Sequence, residues 1–332
     1  MRTRTALGLT TAALLTTTLA APAGAARPDT APAYTFAVIG DIPYGAAQVA
    51  AFPGWVDQIS ADPDVQLVAH LGDIKSGSTT CDDAYFAAIR TQFDRFDTPL
   101  VYTPGDNEWT DCHRPNNGGY DPYERLDRVR QVFFDHPGTT LGVPMAVEAQ
   151  PAYPENVAWR AGGVTFTTAH VVGSNNGMAP WTGATAPNER QLAEVPARTR
   201  ADIAQLHHAF TEAQENGDRA VVVMQQADVF DPTWTPTFAD FSAFKPWVQA
   251  LVEESAAFDG KVYLFDGDSH VFHVDRPLAD GSPWLDFYGV DGSAGNLTRV
   301  TVDGSSNNTG WLKVRVAAHG SPVLTWERLA YR

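Results

Sequence analysis

Four stretches of this 332-residue sequence place a carboxylate directly after a glycine, each a few residues beyond an apolar run. They are Gly40-Asp41 after Tyr34 to Ile39, Gly72-Asp73 after Val65 to Leu71, Gly105-Asp106 after Leu100 to Tyr102, and Gly267-Asp268 after Lys261 to Phe265. A fifth apolar run, Ala220 to Met224, ends in Gln225-Gln226, and His270 stands two residues beyond Asp268. A single Gly-Asp is ordinary turn vocabulary. Repeated after several buried strands, it describes chemistry set on the C-terminal edge of a sheet. Four carboxylates gathered on one edge cannot all stay ionised without compensation. Divalent cations supply that compensation, and two metals sharing one carboxylate form a device for hydrolysing phosphate esters.

The elements that must position these residues follow from the periodicity. After the first strand, a helix is expected from about Ala46 to Ser60, interrupted at Pro53. Asp82 to Phe96 has helical spacing, with Tyr85, Ile89, Phe93 and Phe96 on one face and acids in the first turn. Pro122 to Phe134 repeats that pattern with Leu126, Val129 and Phe133. Strand–helix units of this kind, connected right-handed, bring their loops to one edge of a mainly parallel sheet. Further on, Val157 to Arg160 and Val164 to Val172 read as a hairpin around Gly162-Gly163. A long helix follows from Asn188 to about Asn216, and another from about Ala243 to Phe258. The remainder reads as strand at Leu285 to Tyr288, Leu297 to Val302, Trp311 to Val316 and Val323 to Leu329. The order predicts an α/β fold in one domain, residues 33–332: a two-layer β-sandwich flanked by helices, α-β-β-α, with a β-rich C-terminal part.

The series GDIPYG, LGDIKSG, PGDNEW, VVVMQQ and DGDSH resembles the calcineurin-like metallophosphoesterase family, over about Tyr34 to His273. There the blocks are typically D-x-H, G-D-x-x, G-N-H-(D/E), a histidine after a V-V-V-like strand, and G-H-x-H. The resemblance implies metal ligands at Asp41, Asp73, Asp106, Gln225, Asp268 and His270, with Asp73 bridging two metals. Pro43 replaces the first-block histidine, and Asp106 replaces the asparagine ligand. Asn107 replaces the histidine that assists the leaving group. Gln225 and Asp268 stand for two further histidines, so of the family's histidines only His270 is kept. Apart from Pro43 the replacements are oxygen donors, a set that suits Mn²⁺, Mg²⁺ or Ca²⁺ better than Zn²⁺. Asparagine cannot protonate a leaving alkoxide. Catalytic candidates are therefore Asn107, His270 and a donor elsewhere, of which His170 is the first choice beside His113 and His273. Tyr44 reads as a packed loop residue, with metal ligation as the alternative. Trp109, Trp181 and Trp234 are expected at the mouth of the site.

Composition bounds the partners. Arg2 and Arg4, an Ala/Leu/Thr run and Ala23-Gly24-Ala25 make residues 1–25 a cleavable Sec-type signal peptide, hence a secreted protein. Removing those two arginines takes the formal net charge from -16 to -18. Such acidity argues against nucleic acid and anionic membranes. A second long apolar run is lacking, so no membrane span is expected. Cys81 and Cys112, an even pair in an exported chain, are expected to form a disulfide, contributing roughly 3–4 kcal/mol by loop closure. The leading reading is an exported phosphoesterase acting on small phosphate mono- or diesters. A non-catalytic extracellular protein that uses the same cation to hold an anionic ligand is the second. A calcium-stabilised structural domain ranks third, because no acidic run has the spacing of a calcium loop. Oligomeric state is not legible.

Overall fold

The computed structural model describes residues 1, 3 and 33–332, so the expected signal peptide lies, but for Met1 and Thr3, outside the described residues. The chain runs through β1 (Tyr34–Ile39), α1 (Gly45–Ser60), β2 (Leu67–His70), α2 (Asp83–Phe93), β3 (Pro99–Tyr102), α3 (Pro122–Phe133), β4 (Leu141–Gly142), β5 (Glu148–Gln150), β6 (Tyr153–Ala161) and β7 (Val164–Thr168). After the helix Glu189–Asn216 come β8 (Ala220–Met224), the helix Lys245–Ala257, β9 (Lys261–Asp266), β10 (His273–Asp275), the helix Pro283–Tyr288, β11 (Leu297–Thr301), β12 (Gly310–Val316) and β13 (Leu324–Ala330).

Among the described residues these strands form two mixed sheets, ordered β13-β12-β1-β2-β3-β4 and β10-β11-β9-β8-β7-β6-β5. Alternation along each strand sorts side chains between two faces. In β1, Phe36 and Val38 enter the core between the sheets with Phe166, Val222 and Phe265. Ala37 and Ile39 face the other way, onto Phe52, Val56, Phe86, Phe93 and Val129 of α1 to α3. In β8, Val222 and Met224 face the first sheet, while Val221 and Val223 pack on Leu206, Phe210, Trp247 and Leu251 of the second helical layer. Covered on both faces, the strands read as near-continuous apolar runs. The result is the expected α-β-β-α order.

Register explains how loops far apart in sequence meet. Ile39, His70 and Tyr102 lie side by side at the ends of parallel β1, β2 and β3. Thr168, Met224 and Phe265 do the same in β7, β8 and β9. The segments beyond them leave their sheets level with one another.

Two expectations are corrected. Pro53 does not interrupt α1, which runs unbroken from Gly45 to Ser60 with Phe52, Val56 and Ile59 buried along one side. Leu285 to Tyr288 is helix, not strand. Ser282 caps it by accepting from Trp284 N, Pro283 occupies the first turn, and Gly289 closes it in the left-handed conformation. Those end signals override the aromatic β-like composition. No helix among the described residues is long and apolar enough to cross a membrane.

Candidate metal centre

Asp41, Asp73 and Asp106 leave the first sheet after β1, β2 and β3, while Asp268 and His270 leave the second after β9. The structure brings these five together. Ligand atoms of Asp41, Asp73 and His270 lie within 4.8 Å of one another, and so do those of Asp73, Asp106 and Asp268. Asp73 is common to both groups.

The backbone is bent to achieve this. Asp41, Asp73, Asp268 and His270 all have positive φ, between 54° and 63°. Non-glycine residues rarely adopt that region, at a cost of order 1–3 kcal/mol each, and such residues gather at functional sites. Aspartate is among the types that tolerate it best. The adjoining glycines are required by close approach. A Cβ on Gly105 would sit 2.1 Å from Asp73 Oδ1, and one on Gly267 2.3 Å from Asp41 Oδ2. The repeated Gly-Asp spelling thus lets one block's backbone pack against another block's carboxylate.

Hydrogen bonds fix the orientations. Asp268 N donates to both oxygens of Asp41 at 3.1 Å, and His270 Nε2 lies 3.3 Å from Asp41 Oδ1. Asp73 Oδ1 accepts from Asn107 N at 3.1 Å; its Oδ2 accepts from the Tyr44 hydroxyl at 2.7 Å and from Asn107 Nδ2 at 2.5 Å. Glu108 turns inward, where its Oε1 accepts from the Tyr102 hydroxyl, Gly105 N and Asp73 N at 2.7, 2.7 and 3.0 Å. One carboxylate oxygen therefore ties the Asp73 loop to the Asp106 loop. The expected disulfide Cys81–Cys112 joins the same two loops, with a Cα–Cα distance of 5.9 Å.

Electrostatics shows what the cluster lacks. Burial, then the charge of Asp106 and other neighbouring acids, holds Asp73 and Asp268 well above the ordinary carboxylate range. Asp41 is also raised, chiefly by burial, although His270 pulls the other way. Burial alone would lower His270, but the hydrogen bond and charge of Asp41 outweigh it and raise it. Lys75, fully enclosed, is lowered by burial against the opposing pull of Glu108, Asp73, Asp111 and Asp106. A dry pocket of carboxylates with too little positive charge, offering oxygen donors and one imidazole, fits divalent cations.

Three site expectations are corrected. Gln225 is not at the cluster: its Oε1 accepts from Trp247 Nε1 at 2.7 Å and its Nε2 donates to Ala227 O at 2.6 Å, inside the helical side of the second sheet. Its neighbour Gln226 faces the cluster, with Nε2 3.4 Å from Asp106 Oδ1 and Oε1 accepting from Gly173 N at 2.7 Å. A shift of one residue at a strand end reverses the face. His170 is fully buried beneath Trp109, its Nδ1 2.8 Å from Glu155 Oε1, and the hydrogen bonds of its ring do not reach the cluster. Trp109 is likewise buried, not at a mouth. His273 pairs with Asp275, and His113 packs against Trp181 and Thr182 at the surface.

Of the two amides at the end of β8 the structure selects Gln226, and it adds Lys75, Asp111, Arg114 and Ser174 to the residues around the cluster. Ser174 belongs to a run, Ser174 to Asn176, in which three consecutive residues have positive φ. Its hydroxyl lies 2.8 Å from both Asp106 Oδ2 and Asp111 Oδ1. The Gly/Asn-rich spelling of that loop was its one signal. A cavity of about 590 Å³ opens beside the cluster, lined by Ser174, Met178, Trp234, Phe241, Phe244 and Asp268 among others.

Two mixed sheets flanked by helices, with an acid-rich loop cluster at one end, make a mixed α/β fold consistent with that of metallophosphoesterases. Residues 34–170 match the family model described as calcineurin-like phosphoesterase, so the resemblance read from the sequence holds over the first sheet's parallel strands and on to the end of β7. No curated protein matches the chain. A solved structure titled as GAP50, the anchor in the inner membrane complex of Plasmodium, is similar at 10% identity and a TM-score of 0.45, covering 90% of this chain and 89% of that one. A likeness at that level carries no weight for function.

Proposed function

We propose that this protein is an exported, metal-dependent phosphoesterase that hydrolyses small phosphate mono- or diesters with two divalent cations. Mn²⁺, Mg²⁺ or Ca²⁺ is favoured over Zn²⁺. The observation that carries the reading is Asp73, shared by two groups of ligand atoms that each fall within 4.8 Å. Asp41 and His270 complete the first group, and Asp106 and Asp268 the second. Gln226, with its Oε1 held by Gly173 N and its Nε2 beside Asp106 Oδ1, supports a ligand carboxylate in place of the metal ligation expected of Gln225.

Bound there, divalent cations supply Lewis-acid polarisation of the phosphoryl group. The chain's own residues do the rest. Asn107 cannot give a proton, and its amide donates to Asp73 Oδ2 and to the Tyr44 hydroxyl, so it holds the shared aspartate in place. Without a proton donor at that position, good leaving groups are favoured over alkyl ones. The cavity beside Asp268 and Ser174 offers space for the alcohol part of the ester, with Trp234, Phe241 and Phe244 as its apolar wall. The disulfide suits an oxidising, extracytoplasmic setting.

The test is hydrolysis of para-nitrophenyl phosphate and bis(para-nitrophenyl) phosphate by metal-stripped protein across a panel of Mn²⁺, Mg²⁺, Ca²⁺ and Zn²⁺. Asp73→Asn is the control. Turnover restored by Mn²⁺ and lost in the variant supports the reading. Thermal stabilisation by metal without turnover of either ester favours the second reading, a protein that holds an anionic ligand without hydrolysing it.

A further inference from the structure

We infer that Arg114 binds the phosphoryl group of the substrate and fits the site to phosphomonoesters rather than diesters. The inference rests on the phosphoesterase reading and adds a substrate class to it.

Arg114 follows the disulfide residue Cys112 by two positions, so its backbone is anchored beside the Asp106 loop. One terminal nitrogen lies 2.7 Å from Asp111 Oδ2, and the other donates weakly, at 3.4 Å, to Ser174 Oγ. That same hydroxyl lies 2.8 Å from Asp106 Oδ2. The guanidinium is therefore one serine away from a proposed metal ligand. Gly77 stands between it and Asn107: a Cβ there would sit 2.8 Å from Asn107 Oδ1 and 3.7 Å from an Arg114 terminal nitrogen. Gly77 keeps that space open, and the two side chains flank it.

The other positive groups around the cluster are committed. Lys75 is fully buried, and its amine donates to the Ser76 carbonyl. His270 pairs with Asp41. The Arg114 side chain is 41% exposed, so it meets solvent while Asp111 and Ser174 hold it at the edge of the cluster. A guanidinium presents five N–H donors in a planar fork that matches phosphate oxygens two at a time. The two contacts above occupy two of the five, and the one to Ser174 is long enough to yield to a better acceptor.

A monoester near neutral pH carries close to two negative charges and three terminal oxygens. A diester carries one charge, and its second alcohol takes up one of those oxygens. With divalent cations held by the aspartate cluster, Arg114 would meet the additional anionic oxygen that a monoester alone retains. Asn107 cannot supply that charge, whereas the guanidinium beside it can.

The experiment compares the full wild-type chain, Arg114→Ala and Arg114→Lys, all loaded with Mn²⁺, on para-nitrophenyl phosphate and on bis(para-nitrophenyl) phosphate. Removing one charge-assisted donor costs about 100-fold in rate where it meets developing charge. That loss in kcat/KM is expected for the monoester in Arg114→Ala, against a few-fold loss for the diester. Added guanidinium chloride should restore monoester activity in Arg114→Ala, and lysine should recover only part of it. Equal losses on both esters, or a monoester loss under threefold, overturn the inference. If wild-type protein hydrolyses neither ester, the phosphoesterase reading fails first. Arg114 is then judged on inorganic phosphate binding to the Mn²⁺-loaded protein by calorimetry. At least tenfold weaker binding in Arg114→Ala sustains its role as an anion ligand, and unchanged or undetectable wild-type binding ends it.

Discussion

At Gln225 and Gln226 two identical side chains one position apart have opposite environments. Gln225 spans Trp247 Nε1 and Ala227 O inside the core. Gln226 bridges Asp106 and Gly173 at the cluster. Gln225→Ala should cost about 1–3 kcal/mol in denaturant unfolding, because the Trp247 N–H is left buried without a partner. It should leave metal affinity intact. Gln226→Ala should do the reverse, weakening Mn²⁺ binding roughly tenfold, as loss of a support to a metal ligand does. Calorimetric titration and urea unfolding on both variants separate the two. The alternation of β8 carries on, with Val222, Met224 and Gln226 on one face and Val221, Val223 and Gln225 on the other, but the sequence alone does not say which face of a doubly buried strand looks towards the cluster. His170 was misplaced for a related reason. Proximity to a strand end locates a residue, whereas the direction of its ring was set by Glu155 and Trp109, distant in sequence.

The elements that hold the site are loops with short strands behind them, so the loops need fastening. Glu108 and the disulfide supply it, both linking the Asp73 loop to the Asp106 loop. Replacing both cysteines by alanine should lower stability by roughly 3–4 kcal/mol and weaken metal binding alongside, read by unfolding and titration of the same variant. The bridge was legible from an even pair of cysteines in a chain whose sequence leads one to expect export. The role of Glu108 was not, because nothing in PGDNEW tells an inward acid from an outward one.

His70, at the end of β2, is fully buried with its Nε2 2.9 Å from Ile42 O. Burial lowers it from 6.5 to about 4. Its neutral form is the folded form, so the stability it contributes is complete above pH 6.5 and is lost as pH falls from there towards 4. Across that window the loss amounts to roughly 3 kcal/mol. Unfolding of wild type and His70→Gln at pH 7.5 and pH 4.5 should show a flatter dependence in the variant. Parallel slopes would refute it.

For the whole molecule, the four-layer arrangement was legible because strands buried on both faces spell themselves as apolar runs, and each right-handed connection fixes where the next loop emerges, whereas the order of strands within each sheet was not. The convergence of Asp41, Asp73, Asp106 and Asp268 follows from that topology. The ligand groupings and the cavity do not, because they depend on side-chain directions and on irregular loops. The central claim is that one shared aspartate organises two cations for phosphoester hydrolysis. It is tested most directly by titrating Mn²⁺ into metal-stripped protein while following both bound metal and para-nitrophenyl phosphate turnover. The account predicts no turnover without metal, full activity as the second equivalent binds, and loss of both in Asp73→Asn. Full activity in the presence of a chelator, or no turnover with two equivalents bound, would contradict it.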